Sequence, residues 1–309
     1  MESENDFITT VDKRRKMGYL FLAISLFSGS LKGYCSKKTS DIITSSTDAM
    51  ATNLLRMVLC VAIGFLLICI NDEIQFMACN KTTLLIALMS GVSTSIFLVS
   101  WLLSVKSGAY MHVEVMLMLG VFVPIVAGIF MFGNSVGIFD WLGVAILVLA
   151  TFIMSMYNKS VKGKMSIKSI TILLLCGLAN GVTDLSQKMF VEYSADVPIS
   201  VFNFYTYLFS GIVLSFVLPV FNSREKKTVE VKKIAGYVTV MAICLFMNSF
   251  FKTMAAQYFD PTQLYPVSQA MSLVLSTLMA CVFFKEKLTA KAILGITLAF
   301  VGIVLINVL

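Results

Sequence analysis

Residues Phe283-Phe284-Lys285-Glu286-Lys287-Leu288-Thr289 end one apolar run, and a second begins at Ala290 and carries Ile293-Leu294-Gly295. The same layout stands earlier in the chain: Phe132-Gly133-Asn134 is followed by Trp141-Leu142-Gly143, and both correspondences have an offset of 152 residues. At an offset of 151, residues 102–110 fall on 253–261. The chain therefore divides into two related parts, 17–157 and 169–309, behind a polar tail at 1–16 and joined by a basic segment at 158–168.

Composition says what the repeated unit is made of. Of the 309 residues, 58% are apolar and only 13% charged, and mean hydropathy is +0.88. A soluble domain carries about 25% charged residues and about 45–50% apolar ones. Water could not solvate such a surface, which excludes a disordered chain, a collagen and a secreted disulfide scaffold. An apolar run of about 20 residues spans a bilayer as a helix, whereas barrel strands need only about 9–11. Ten such runs occur, at 17–36, 50–70, 83–104, 109–132, 138–157, 169–189, 199–221, 234–256, 262–284 and 290–309. The fold expected is an all-α integral membrane protein of ten transmembrane helices. Five helices per part is an odd number, so the second part must enter the membrane inverted. Inverted repeats are an architecture of secondary transporters, whose substrate sites lie near the midplane where the repeats meet.

The residues that mark the repeat also resemble a family. The ending 283–305, with Leu294-Gly295-Ile296-Thr297 and Val301-Gly302-Ile303-Val304, looks like the final helix pair of EamA-type carriers of the drug/metabolite transporter superfamily. Ala255-Ala256-Gln257-Tyr258-Phe259-Asp260-Pro261, leading to Pro266, is similar to that family's entry into its ninth helix, and Arg56 in the second helix fits as well. The first part departs from the pattern at Asn134, which stands where Glu286 stands in the second. The resemblance implies a central cavity lined mainly by helices 1, 3, 4, 6, 8 and 9 and the transport of small metabolites.

Candidate functional residues follow from the cost of ionisable groups in hydrocarbon, about 2.5–3.5 kcal/mol on insertion scales. The runs contain Lys32, Arg56, His112, Glu114, Asp184, Lys188 and Lys252. Asp184 and Lys188 are four residues apart on one helical face and are expected to pair. Lys32 and Lys188 lie late enough in their helices for the amine to reach the interface. Arg56 is read as holding helices or a lipid phosphate. Lys252 sits deeper and is expected, with Asp184, to face the cavity. Glu114 is the expected coupling residue. Its own helix offers Tyr110, Met111, Leu117 and Met118 three or four positions away and no cation, and His112 points to another face. Such a carboxyl suits proton movement or a cationic group of the substrate. Trp101, Asn180, Asn248, Tyr265 and Gln269 complete a polar and aromatic lining.

The expected function is a secondary active transporter of a small polar metabolite, an amino acid or a related amine or zwitterion, with a proton or sodium ion as candidate coupling ion. No Gly-x-x-x-x-Gly-Lys-Ser/Thr loop is present to power primary transport. A flippase for a lipid or lipid-linked sugar is the alternative. A membrane-embedded enzyme is disfavoured by the single histidine and by the absence of His-Glu-x-x-His and Gly-x-Ser-x-Gly. Seven cysteines without a Cys-x-x-Cys pair read as free buried thiols, so no metal and no cofactor is expected. The net charge of +7 reflects lysines and arginines in short loops beside the membrane, not a nucleic-acid partner. Two orientation signals conflict. The N-tail side carries five basic residues and the opposite side fifteen, which by the positive-inside rule puts the termini outside. The cluster Lys13-Arg14-Arg15-Lys16 and the family resemblance put them inside, in the cytoplasm, and that is the orientation expected in the cell membrane.

Overall fold

The computed structural model describes residues 2–40, 42–43, 46–106, 116–155, 167–221, 231–284 and 289–308. Among them the chain forms ten α-helices and two short 3-10 turns, with no strand. The helices are α1 (Glu2–Ser40), α2 (Ser46–Ile70), α3 (Lys81–Lys106), α4 (Phe122–Phe132), α5 (Ile138–Ser155), α6 (Ile167–Tyr193), α7 (Ile199–Val217), α8 (Val231–Ala255), α9 (Pro261–Phe284) and α10 (Ala290–Val308). A helical stretch over 116–120 leads into α4 through a turn at Val121. In a bilayer every backbone polar group must be satisfied within the chain, which is why such apolar runs become helices. Local chemistry sets where they stop. Gly133 ends α4 in the left-handed conformation at φ 68°, which glycine adopts without steric cost. Pro198, extended at ψ 145°, starts α7.

Six helices, α2, α3, α6, α7, α8 and α9, are long and apolar enough to cross a membrane. Three apolar helices are shorter: Met116–Phe132, Ile138–Ile153 and Ala290–Ile306. The ten spanning runs expected from sequence thus meet ten helices, of which six clear the length and hydropathy requirement. The first helix is longer than the expected 17–36, because it continues without a break through the charged segment before Met17.

Helix α1 runs antiparallel along α8. Gly18 lies on Tyr258 and Phe259, Ser25 on Asn248, and Thr39 on Met241. Further packed pairs are α3 with α6 and α7, α2 with α7 and α8, α1 with α9, α4 with α6 and α9, and α5 with α10. Among the crossings close enough to require glycine, two join the shorter apolar helices to their neighbours. A Cβ on Gly181 would lie 2.1 Å from the Gly120 carbonyl oxygen, and one on Gly302 would lie 2.9 Å from that of Gly143. Small residues at such points let helix backbones approach in a membrane, where van der Waals packing drives association.

Candidate functional site

The buried charges gather around α8. Asp184 is 3% exposed, and its Oδ1 accepts a hydrogen bond from the Lys252 ammonium at 2.5 Å. The pair joins α6 to α8. Lys252 also lies over the Tyr265 ring of α9, 5.4 Å from its centroid, within cation–π range. The Tyr265 hydroxyl is buried and ends near the Lys188 backbone without a well-formed hydrogen bond. Three helices thus meet at one ion pair and one aromatic face.

The expected Asp184–Lys188 pair does not form. Lys188 is 6% exposed and turns to the C-terminal end of α8, donating to the carbonyls of Ala256 at 3.1 Å and Phe259 at 3.3 Å. Glu192, four residues on, completes its shell at 2.8 Å. Those carbonyls lie at and just beyond the end of α8, where backbone acceptors lack helical partners and a cation is favoured. Lys188 is therefore anchored inside the protein and does not reach the interface. Asp184, released from its helical neighbour, takes the lysine of another helix.

Around the pair the helices are tied by neutral polar groups. Gln187 donates to Ser249 at 3.3 Å, Ser249 donates to Asn203 at 2.7 Å, and Thr183 shares a hydrogen bond with Ser93 at 2.8 Å. Asn248 holds α8 to α1 through the Ser25 carbonyl at 2.8 Å and the Ser25 hydroxyl at 3.1 Å. Its side chain is a clamp between helices. Asn180 leaves its buried amide nitrogen without a partner, and so does the Gln187 oxygen. Gln269 is half-buried on α9. Trp101 packs with Leu117, Leu173 and Cys176, an apolar cluster apart from the ion pair. Glu114 and His112 lie outside the described residues.

A second charged group lies further along α8. Arg56 of α2 is 7% exposed. Its Nη1 donates to the Asn53 amide oxygen at 2.9 Å, and its Nε is buried without an acceptor. Lys32 of α1 feels the charges of Arg56 and Lys252. At the end of α8 nearer α9, a surface cavity of about 590 Å³ is lined by Arg14, Arg15, Gln257, Tyr258, Phe259 and Gln263.

Among residues that sequence reasoning passed over, Glu192, Gln187, Ser249 and Asn203 bear on the site. Gln187 and Asn203 carried a signal, as amide side chains inside apolar runs. Ser249 carried none, because serine is common at helix contacts. Elsewhere Asn134, which replaces the acid expected at that turn, donates to the Asp260 carboxylate at 2.5 Å. A second acid there would face Asp260 with like charge. Among the described residues no three His, Cys, Asp or Glu side chains come together as metal ligands would.

Residues 167–308 match the model of the EamA-like transporter family. No curated protein matches the sequence. Among solved structures, one titled only as a crystal structure of a protein superposes with a TM-score of 0.77 at 13% identity, over 94% of this chain and 96% of that one. At that identity the likeness is one of fold.

Proposed function

We propose that this chain, which over residues 167–308 belongs to the EamA-like transporter family, is a secondary carrier that moves a small polar metabolite by alternating access. The apolar helices make it a multi-pass membrane protein. We read it as ten spans in two inverted parts. The support is that most of the helix pairings survive exchange of α1–α5 with α6–α10. Under that exchange α1 on α8 becomes α6 on α3, α3 on α7 becomes α8 on α2, and α1 on α9 becomes α6 on α4, while α2–α7, α4–α9 and α5–α10 map onto themselves. Both termini are placed in the cytoplasm, with Lys13, Arg14, Arg15 and Lys16 as the flanking cluster.

The observation that carries the carrier reading is the Asp184–Lys252 pair beneath Tyr265. A buried ion pair is weak evidence of stability, because desolvation offsets much of its Coulombic gain. Its presence at a junction of three helices is better explained as a place where a ligand exchanges partners with the protein. An amino acid or related zwitterion offers an ammonium to Asp184 and a carboxylate to Lys252. The pair then opens without leaving either charge bare. The Tyr265 hydroxyl and the Asn180 amide, both without partners, supply hydrogen bonds to the neutral part of such a ligand. Glu114 retains its expected role in proton coupling as part of this proposal.

The test is uptake into proteoliposomes from a panel of radiolabelled amino acids and amines. The wild-type chain should accumulate at least one of them, and D184N and K252M should lose that uptake while still inserting. Uptake of none, or equal uptake by the variants, would refute the assignment.

A further inference from the structure

The charges around α8 do not balance among the described residues. Lys188 is matched by Glu192, and Lys252 by Asp184. Lys32 and Arg56 have no carboxylate. Both lie on helix surfaces turned toward α8. On α1, Lys32 follows Ser25 and Gly29 by seven and three residues, and those two touch Asn248. On α2, Arg56 precedes Cys60 by four, and the Cys60 thiol donates to the Ala242 carbonyl at 3.4 Å. Tyr207, whose hydroxyl donates to the Leu245 carbonyl at 3.2 Å, is within electrostatic range of the guanidinium.

An arginine in a protein stays charged, and burying an ion that lacks a counter-ion is among the costliest acts in folding. The neutral Asn53 amide accepts only one of the donors of Arg56. The edge carrying Nε has no protein acceptor, although a guanidinium edge matches a carboxylate or phosphate with two parallel hydrogen bonds. Lys32 adds a second donor group that makes no hydrogen bond or ion pair among the described residues, and its side chain is only partly buried. Among the described residues, the group missing from this corner is an anion.

We propose that Arg56 and Lys32 form an anion subsite that takes a carboxylate or phosphate group. The inference rests on the carrier reading above and narrows it: the transported solute carries an anionic group, which docks between α1, α2 and α8. On α8, both Lys252 and Cys244 are within electrostatic range of Lys32. The subsite therefore adjoins the Asp184–Lys252 pair, with its donors on α1 and α2 in place of α6 and α8. The same chemistry is offered by a soluble solute and by an anionic lipid headgroup.

The experiment is a thermal melt of the full chain in phosphatidylcholine nanodiscs with sodium phosphate or sodium succinate, against sodium chloride at equal ionic strength. At saturation one of the two anions should raise Tm by about 2–4 °C. R56Q and K32Q should weaken that effect at least about tenfold, and R56K should keep part of it. Should R56Q not fold, K32Q carries the test, since Lys32 is only half-buried. Stabilisation obtained only when phosphatidylglycerol is added, and lost in K32Q, supports the subsite with a headgroup as its occupant. No stabilisation by phosphate, succinate or phosphatidylglycerol, or equal stabilisation of wild type and K32Q, overturns it. Anion stabilisation in a protein that moves no solute would overturn the carrier reading and leave the subsite standing. Solute transport by the wild type combined with equal anion stabilisation of wild type and K32Q would do the reverse.

Discussion

At an offset of 152 residues Lys32 of α1 falls on Asp184 of α6, and Gly29 falls on Gly181. At 151, Trp101 of α3 falls on Lys252 of α8. In the two-part reading, the later part places an acid and a base at these positions and closes them on each other. The earlier part places a lysine and a tryptophan there, and the tryptophan packs into an apolar cluster. One part neutralises itself, and the other is left positive beside Arg56. The lesson is that a repeated fold supplies matched positions without fixing their chemistry. A site built on such positions is asymmetric wherever the two copies have taken different residues.

The strongest way to break this comparison is at the closed pair. D184N or K252M alone leaves a buried charge unpaired and should cost about 3–5 kcal/mol, whereas the D184N/K252M double variant should lose clearly less than the sum of the two. Thermal unfolding in detergent reads this. Additive losses would mean that the two groups do not act as a pair.

The matched glycines sharpen it next. A Cβ on Gly181 meets the Gly120 backbone oxygen at 2.1 Å, which cannot move without shifting a helix. A Cβ on Gly29 meets only the Asn248 side chain, its nitrogen at 3.0 Å. G181A should therefore cost about 1–3 kcal/mol, and G29A clearly less. Equal costs in the same melts would show that the α4–α6 crossing relaxes as readily as the α1–α8 contact.

Smaller effects are expected at the margins. Glu192 is 42% exposed, so E192Q should change stability by no more than about 1 kcal/mol, with Lys188 kept in place by its two carbonyls. A larger loss would make Glu192 the main anchor of Lys188. Y265F removes a hydroxyl without a well-formed hydrogen bond among the described residues and should leave stability within about 0.5 kcal/mol of wild type. A marked loss would mean that the hydroxyl is already engaged within the protein.

Much of this was legible in the sequence, for physical reasons. The helical membrane fold follows from run length and hydropathy, and the cost of ionisable groups in hydrocarbon singled out Asp184, Lys188, Lys252, Lys32 and Arg56. Their partners were not legible. Four-residue spacing favours Asp184 with Lys188, yet the free carbonyls at the end of α8 offer Lys188 a better site, and this depends on how two distant helices cross. Asn248 reads equally as cavity lining or clamp until Ser25 is placed opposite it. The length of α1 was hidden as well, because charged residues before Met17 look like a tail although they continue the same helix. Glu114 lies outside the described residues, and its place in the site rests on sequence reasoning.

The central claim is that a solute passes the Asp184–Lys252 junction. The most direct measurement loads proteoliposomes with a mixed pool of small metabolites and reads by mass spectrometry which ones leave. Wild-type vesicles should be depleted of one solute or a few related ones, and vesicles holding D184N should retain them. Depletion of nothing, or the same depletion with D184N, would contradict the account.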